Sequence, residues 1–254
     1  VPGARHAATA ADAARGARVI VTCFSTSHDV EGMLDGDDGL LAGIARGTTL
    51  VDCTSGDPAT SRRIAARLAE LGADFLDAPV SGGVTGAEKG ALTAMVGGAA
   101  PVLERVRPVL AAFAQKIVHC GDIGAGDTVK AVNQAFLAIH LFAAAEGLAT
   151  LVKEGVDPRV AFDVINSSSG RSNASMNLIP ERVFTRAFPR TFKLALLEKD
   201  IGIAAGLARD NRVPAPVTQL TADLYRIARG ELGETADHVE IVKLVESWAN
   251  VEIA

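Results

Sequence analysis

Gly121-Asp122-Ile123-Gly124-Ala125-Gly126-Asp127-Thr128-Val129-Lys130-Ala131-Val132-Asn133-Gln134 is the stretch on which the chain turns from one architecture to another. Before it, Ala17–Cys23 and Thr48–Cys53 are short, continuous apolar runs, the pattern of strands buried on both faces. Asp57-Pro58 predicts an N-cap and first helical residue, and Gly72 follows Leu71 where a C′ glycine belongs. Strand-like Ala73–Ala78, a Gly-rich loop from Val80 to Gly90 and strand-like Ala91–Val96 come next. A helix over 100–114 and a strand over 115–120 complete this half. The alternation predicts βαβ units and a mostly parallel sheet. Beyond the stretch the strand signals stop. One Ala-rich helical pattern runs from Asp127 to Glu154 and ends at Gly155, and Asp157-Pro158 caps another helix. Further helical patterns cover 193–212, 216–229 and 238–248. The expectation is an α/β domain over 1–123 and an all-α domain over 124–254, joined by a long helix, with no solenoid repeat or low-complexity tract.

Composition narrows the partners. The chain has 254 residues with 25 Lys+Arg against 30 Asp+Glu, a formal charge of −5. No basic cluster is available to displace phosphate counterions, which argues against a nucleic-acid or anionic-membrane partner. The longest apolar run, Ala135–Ala145, includes His140 and is too short to cross a bilayer. Cys23, Cys53 and Cys120 are scattered, with no disulfide framework and no CxxC zinc spacing. These features predict a soluble, cytoplasmic protein of a reducing compartment. The chain opens on Val1-Pro2-Gly3 without an initiating Met or secretory h-region. Ala4–Arg18 is rich in Ala and Arg, as a transit peptide would be, but Asp12 and the following strand fit a folded element better.

Four places carry candidate chemistry. In Asp77-Ala78-Pro79-Val80-Ser81-Gly82-Gly83, a strand ends in a loop, where α/β folds place ligands. Adjacent glycines let successive N–H groups converge on an anion and Ser81 adds a hydroxyl, although a plain glycine turn reads the same way. The nearby Gly83–Lys89 is not a P-loop, because Lys89 does not follow a glycine and Gly90 replaces the required Ser or Thr. On the long helix, Lys130 lies three and four residues from Asn133 and Gln134, so the three share a face. Burial lowers a lysine pKa and suits it to proton transfer, while a first-turn lysine reaching water is the bland alternative. Glu198-Lys199-Asp200 sits in an apolar helix, either toward a ligand or as an exposed pair. Asp52-Cys53-Thr54-Ser55 ends a strand, where Thr54 or Ser55 contacts a ligand or caps the loop. The five histidines show no metal-ligand spacing, no metal is expected, and no G-x-S-x-G stretch occurs.

The order of these motifs is more specific than any one of them. DAPVSGGVTGA, GALTAMVGG, GDIGAGDTVKAVNQ and LLEKDIGIA together resemble the β-hydroxyacid dehydrogenase family over essentially the whole chain. The resemblance implies a Rossmann-like N-terminal domain, a helical C-terminal domain, and hydride transfer between NAD or NADP and a small carboxylate substrate. It implies that Ser81, Gly82 and Gly83 bind the carboxylate and that Lys130 is the catalytic acid/base. Asn133 or Gln134 would orient the lysine or the substrate oxygen. Lys199 matches a lysine reaching the cofactor near its nicotinamide end. Ser55 falls where the family has a cofactor-contacting Thr, and Phe24-Ser25 falls where it often carries Leu-Pro. A homodimer or homotetramer is implied as well.

The sequence also departs from the pattern. Many members have Asn four residues after the lysine, whereas here Asn133 is at the third position and Gln134 at the fourth. Asn-Gln resembles the tartronate semialdehyde reductase branch, but Ser167–Ser172 does not. The family opens with a strand, a GxGxxG loop and a helix, and Val1–Arg18 resembles the segment after its second strand. Roughly forty residues, the first βαβ unit, are therefore expected to be missing. The alternative expectation is a cofactor-incompetent homologue or fragment that binds a carboxylate.

Overall fold

The computed structural model describes residues 3–253. They form two compact units, 3–130 and 131–253, that divide inside one helix.

The first unit is built on a six-stranded sheet. Its elements in chain order are α1 (Ala10–Ala14), β1 (Val19–Thr22), α2 (Ser27–Gly32), α3 (Leu40–Gly43), β2 (Thr49–Asp52), α4 (Pro58–Glu70) and β3 (Asp74–Asp77). There follow β4 (Val80–Ser81), α5 (Gly83–Glu88), β5 (Leu92–Gly97), α6 (Ala100–Leu110) and β6 (Ala114–Gly121). β1, β2 and β3 are parallel, with Thr22 opposite Asp52 and Asp52 opposite Asp77. β2 and β3 are buried on both faces, whereas β1, expected from its apolar run to be so too, lies at the sheet edge with Val21 43% exposed. Leu50 and Phe75 pack with Ile64 and Leu68 of α4 on one side, while Val51 and Leu76 pack with Leu103 and Val106 of α6 on the other. That alternation explains why the strands read as continuous apolar runs.

The sheet is mixed. β5 is parallel to β6 but antiparallel to β3 and to β4, because the chain reverses through Pro79 and α5. The segment expected as a plain glycine loop thus holds a short strand and a short helix. The caps follow the sequence closely: Asp57 accepts from the Thr60 N–H ahead of Pro58, and Gly72 takes φ +70° after α4.

The long helix α7 spans Ala125–Lys153. It starts two residues earlier than the pattern predicts. The second unit continues with α8 (Pro158–Asn166), a π-helical segment (Ala174–Val183), α9 (Leu194–Asp210), α10 (Pro216–Leu232), a 3-10 turn (His238–Glu240) and α11 (Ile241–Ala249). The π-helical segment falls where the sequence shows no clear pattern, and it contains Pro180, which lacks an N–H for a regular ladder. By length and composition α7 as a whole is apolar enough to cross a membrane, which its longest uninterrupted apolar run is not. Its Ala138, Leu141, Phe142, Ala145, Leu148 and Ala149 are buried in the core of the second unit, the stripe of a core helix. The fully buried Tyr225 donates to the Ala138 carbonyl at 3.4 Å within that core.

Candidate functional site

The carboxyl ends of β1 and β2 are tied together by Thr54. Its hydroxyl accepts the Phe24 N–H at 2.9 Å, and its own N–H donates to Asp52 at 3.1 Å. Thr22 also donates to Asp52, at 2.9 Å. Burial pushes the Asp52 carboxyl above its usual range, against the pull of these donors. Thr54 is buried and spent on the loop, while Ser55 beside it is half-buried. An open cleft of about 720 Å³ lies at the end of β1, lined by Cys23, Phe24, Ser25, His28, Asp29 and Gly32. Phe24 presents its ring there at 41% exposure. Phe24 and Ser25 therefore share one cleft, and Ser55 is not in its lining.

At the end of β3 the chain passes through Pro79 into half-buried Ser81 and exposed Gly82 and Gly83. Gly82 has φ +132° and Gly83 has φ +63°, conformations that L side chains rarely adopt. A Cβ on Gly83 would meet nothing within 4 Å, so its backbone faces open space. Two accessible amides beside a hydroxyl form a loop able to receive a carboxylate.

The foot of α7 carries the third group. Lys130 is only 7% exposed, so it is not a first-turn lysine reaching water. Gln134, one turn on, is buried as well, whereas Asn133 is exposed and joins the group by donating from Nδ2 to Gln134 Oε1 at 3.3 Å. Within the second unit Gln134 Nε2 donates to Asp200 Oδ2 at 2.9 Å, and Lys199 Nζ pairs with Asp200 Oδ1 at 3.0 Å. The reading of Lys199-Asp200 as an exposed pair is thereby excluded, and Glu198 is engaged by Arg229 at 2.9 Å. Asp200 gained no role of its own from the sequence, because an acid in an apolar helix says nothing about which amide it meets.

Asp127 was also illegible. An acid in the first turn of a helix reads as a solvated partner of the helix dipole. Here it is 1% exposed and accepts from the Ser61 hydroxyl at 2.6 Å and the Gly56 N–H at 3.2 Å. Its own N–H and that of Gly124 donate to the two oxygens of buried Asp77, at 3.0 and 2.7 Å. Burial first, then the neighbouring Asp77 charge, pushes the Asp127 carboxyl up to about 7, although the Ser61 bond opposes the shift. Burial likewise raises Asp77 against four backbone donors. Among the described residues no group of three His, Cys, Asp or Glu is placed to hold a metal ion.

Comparison with known proteins agrees with this layout. Residues 2–121 match the family model for the NAD binding domain of 6-phosphogluconate dehydrogenase. Residues 124–245 match the model for NAD-binding of NADP-dependent 3-hydroxyisobutyrate dehydrogenase. The chain is 38% identical to the 3-hydroxyisobutyrate dehydrogenase of Pseudomonas aeruginosa, over 89% of this chain and 78% of that one. It is 34% identical to the 2-hydroxy-3-oxopropionate reductase of Escherichia coli, over 99% of this chain and 86% of that one. Among solved structures, Mycobacterium tuberculosis 3-hydroxyisobutyrate dehydrogenase with L-serine superposes with a TM-score of 0.86 at 31% identity, covering 94% of this chain and 82% of that one. A sheet with paired strand-end loops, a helical second unit and these likenesses place the chain in the β-hydroxyacid dehydrogenase family, the NAD(P)-dependent oxidoreductases of small hydroxyacids.

Proposed function

We propose that the chain oxidises a small β-hydroxyacid, or reduces the matching semialdehyde, with Lys130 moving the hydroxyl proton. The observation that carries this reading is the burial of Lys130 at the foot of α7, with the buried amide of Gln134 one turn away. A buried amine beside a fixed amide is suited to exchange a proton with one substrate oxygen. Ser81 and the amides of Gly82 and Gly83 hold the substrate carboxylate, which sets the carbinol carbon at a fixed distance from the loop. Lys130 takes the hydroxyl proton during oxidation and returns it during reduction. Gln134, held by Asp200, and Asn133 orient the lysine or the substrate oxygen.

NAD or NADP fits the residues present. The exposed Phe24 ring and the Ser25 hydroxyl lie at the carboxyl end of a parallel strand, where open α/β sheets receive nucleotides. When bound, the cofactor accepts or supplies the hydride. In the first unit Phe24, Ser25 and Ser55 would contact it, and in the second Lys199, braced by Asp200, matches the family lysine that would reach its nicotinamide end. Val132 and Phe136 are exposed apolar residues on one side of α7, which supports a homodimer or homotetramer formed through that helix. The enzyme works in the cytoplasm.

The test is a fluorescence titration with NADH and NADPH, followed by turnover of 3-hydroxyisobutyrate and L-serine. A saturable signal with turnover is expected. Carboxylate binding without any saturable nicotinamide signal would instead make the chain a cofactor-incompetent homologue.

A further inference from the structure

Three segments of the first unit that the proposed function assigns to the site meet at one buried junction. The Asp127 carboxyl accepts from the N–H of Gly56, the residue after Ser55. It also accepts from Ser61 in the first turns of α4. The Asp127 N–H donates to Asp77, which lies four residues before Ser81. Lys130 follows Asp127 by three residues, one turn along α7. The junction is closed to water and to added atoms: a Cβ on Gly126 would fall on the Met95 carbonyl and 2.8 Å from Asp77 Oδ2, and one on Gly56 would lie 3.3 Å from Asp127 Oδ1. Space and hydrogen bonds together leave the first turn of α7 one position against the loops after β2 and β3.

We infer that Asp127 is a positioning residue, a buried clasp that fixes the Lys130 turn of α7 relative to the Ser55 and Ser81 loops. The role rests on the assignment of Lys130 as acid/base made above. Asp127 touches no substrate; it acts by holding the turn that carries the lysine. A misplacement on the order of 1 Å at a reacting group costs about 10²-fold in rate, so a clasp this close to the lysine matters to turnover.

The experiment uses the full chain and two readouts. The first is amide hydrogen exchange without cofactor, over residues 54–57 and 126–131. Asp127→Ala removes both carboxyl bonds and is expected to speed exchange in the two segments together, by about tenfold or more. Ser61→Ala removes one bond and leaves the carboxyl, and is expected to act in the same direction more weakly. Asp127→Asn can still accept from Gly56 and donate to Ser61, and is expected to restore most of the protection.

The second readout is steady-state turnover of 3-hydroxyisobutyrate and L-serine with NAD+ and NADP+. Asp127→Ala is expected to lower kcat by about tenfold or more while each KM changes much less. Asp127→Ala added to Lys130→Ala is expected to cause no further loss, since it acts through the lysine. Unchanged exchange over 126–131 in both Asp127→Ala and Ser61→Ala would overturn the clasp, whatever Lys130→Ala does. Undiminished turnover in Lys130→Ala would instead overturn the acid/base assignment, and the exchange data would still decide whether the clasp holds that turn.

Discussion

The backbone N–H of Asp127 donates to Oδ2 of Asp77 at 3.0 Å, which sets two buried carboxyl groups beside each other at the foot of the long helix. Two like charges in that position oppose ionisation, and burial opposes it further. Burial and the neighbouring Asp77 charge raise the Asp127 carboxyl, and stability therefore depends on pH.

Asp127 rises to about 7 in the folded chain from an ordinary 3.8. A raised carboxyl contributes stability that is fully present below the unfolded value and is lost as pH rises through the folded one. Asp127→Asn stays neutral throughout. It is expected to exceed the parent in stability above pH 7 by on the order of 2–4 kcal/mol, with the gap closing toward pH 4. Asp52 and Asp77 titrate in the same sense, so the difference between the two proteins is the quantity to follow by chemical denaturation. A variant less stable than the parent at high pH would refute the account.

Asp237 has the opposite sign. Burial alone would raise it, but the His238 hydrogen bond, the N–H groups of Phe192 and Thr191, and the His238 charge hold it well below the usual carboxylate range. Its stabilisation is present above pH 4 and lost as pH falls. It also caps the 3-10 turn through the Val239 N–H at 3.1 Å. Asp237→Ala strips all of these donors at once and is expected to cost about 3 kcal/mol, read as a lower Tm.

Two helical glycines are expected to behave oppositely. On Gly147 a Cβ meets nothing within 4 Å and φ is ordinary, so Gly147→Ala is expected to add up to about 1 kcal/mol by helix propensity. On Gly126 a Cβ collides with the Met95 backbone, which cannot yield, and Gly126→Ala is expected to cost about 3 kcal/mol. Thermal unfolding of the two variants against the parent gives the comparison.

Lys130→Ala is expected to lower kcat by about 10²-fold or more, with a smaller change in KM, because general acid–base transfer is lost and binding is kept. Turnover that is insensitive to this substitution would remove the lysine from the chemistry.

Much of the fold was legible in advance. Leu50-Val51 and Phe75-Leu76 read as buried strands because successive residues face the two helical layers. Asp57, Pro58 and Gly72 marked the ends of α4 because caps obey local backbone rules. Lys130 stood out as a lysine beside two amides in an otherwise apolar helix, while Ser81-Gly82-Gly83 read as a plain glycine turn until the order of motifs was considered. The reversal of β5 against β3 was hidden, since a strand's direction depends on how Pro79 and α5 route the chain, not on its own residues.

The sequence by itself determined the principal strands and helices, an α/β half followed by a helical one, the family, and the lysine on which the chemistry is proposed to turn. Only the tertiary structure decided which polar groups are buried and whom they meet. Asp127 and Asp200 are ordinary helical acids by spacing, yet one is bonded to Ser61 and Gly56 and the other to Gln134. Local patterns follow from backbone geometry within a few residues. A buried carboxyl's partners lie about 66 to 71 positions away along the chain, and only packing brings them within a hydrogen bond.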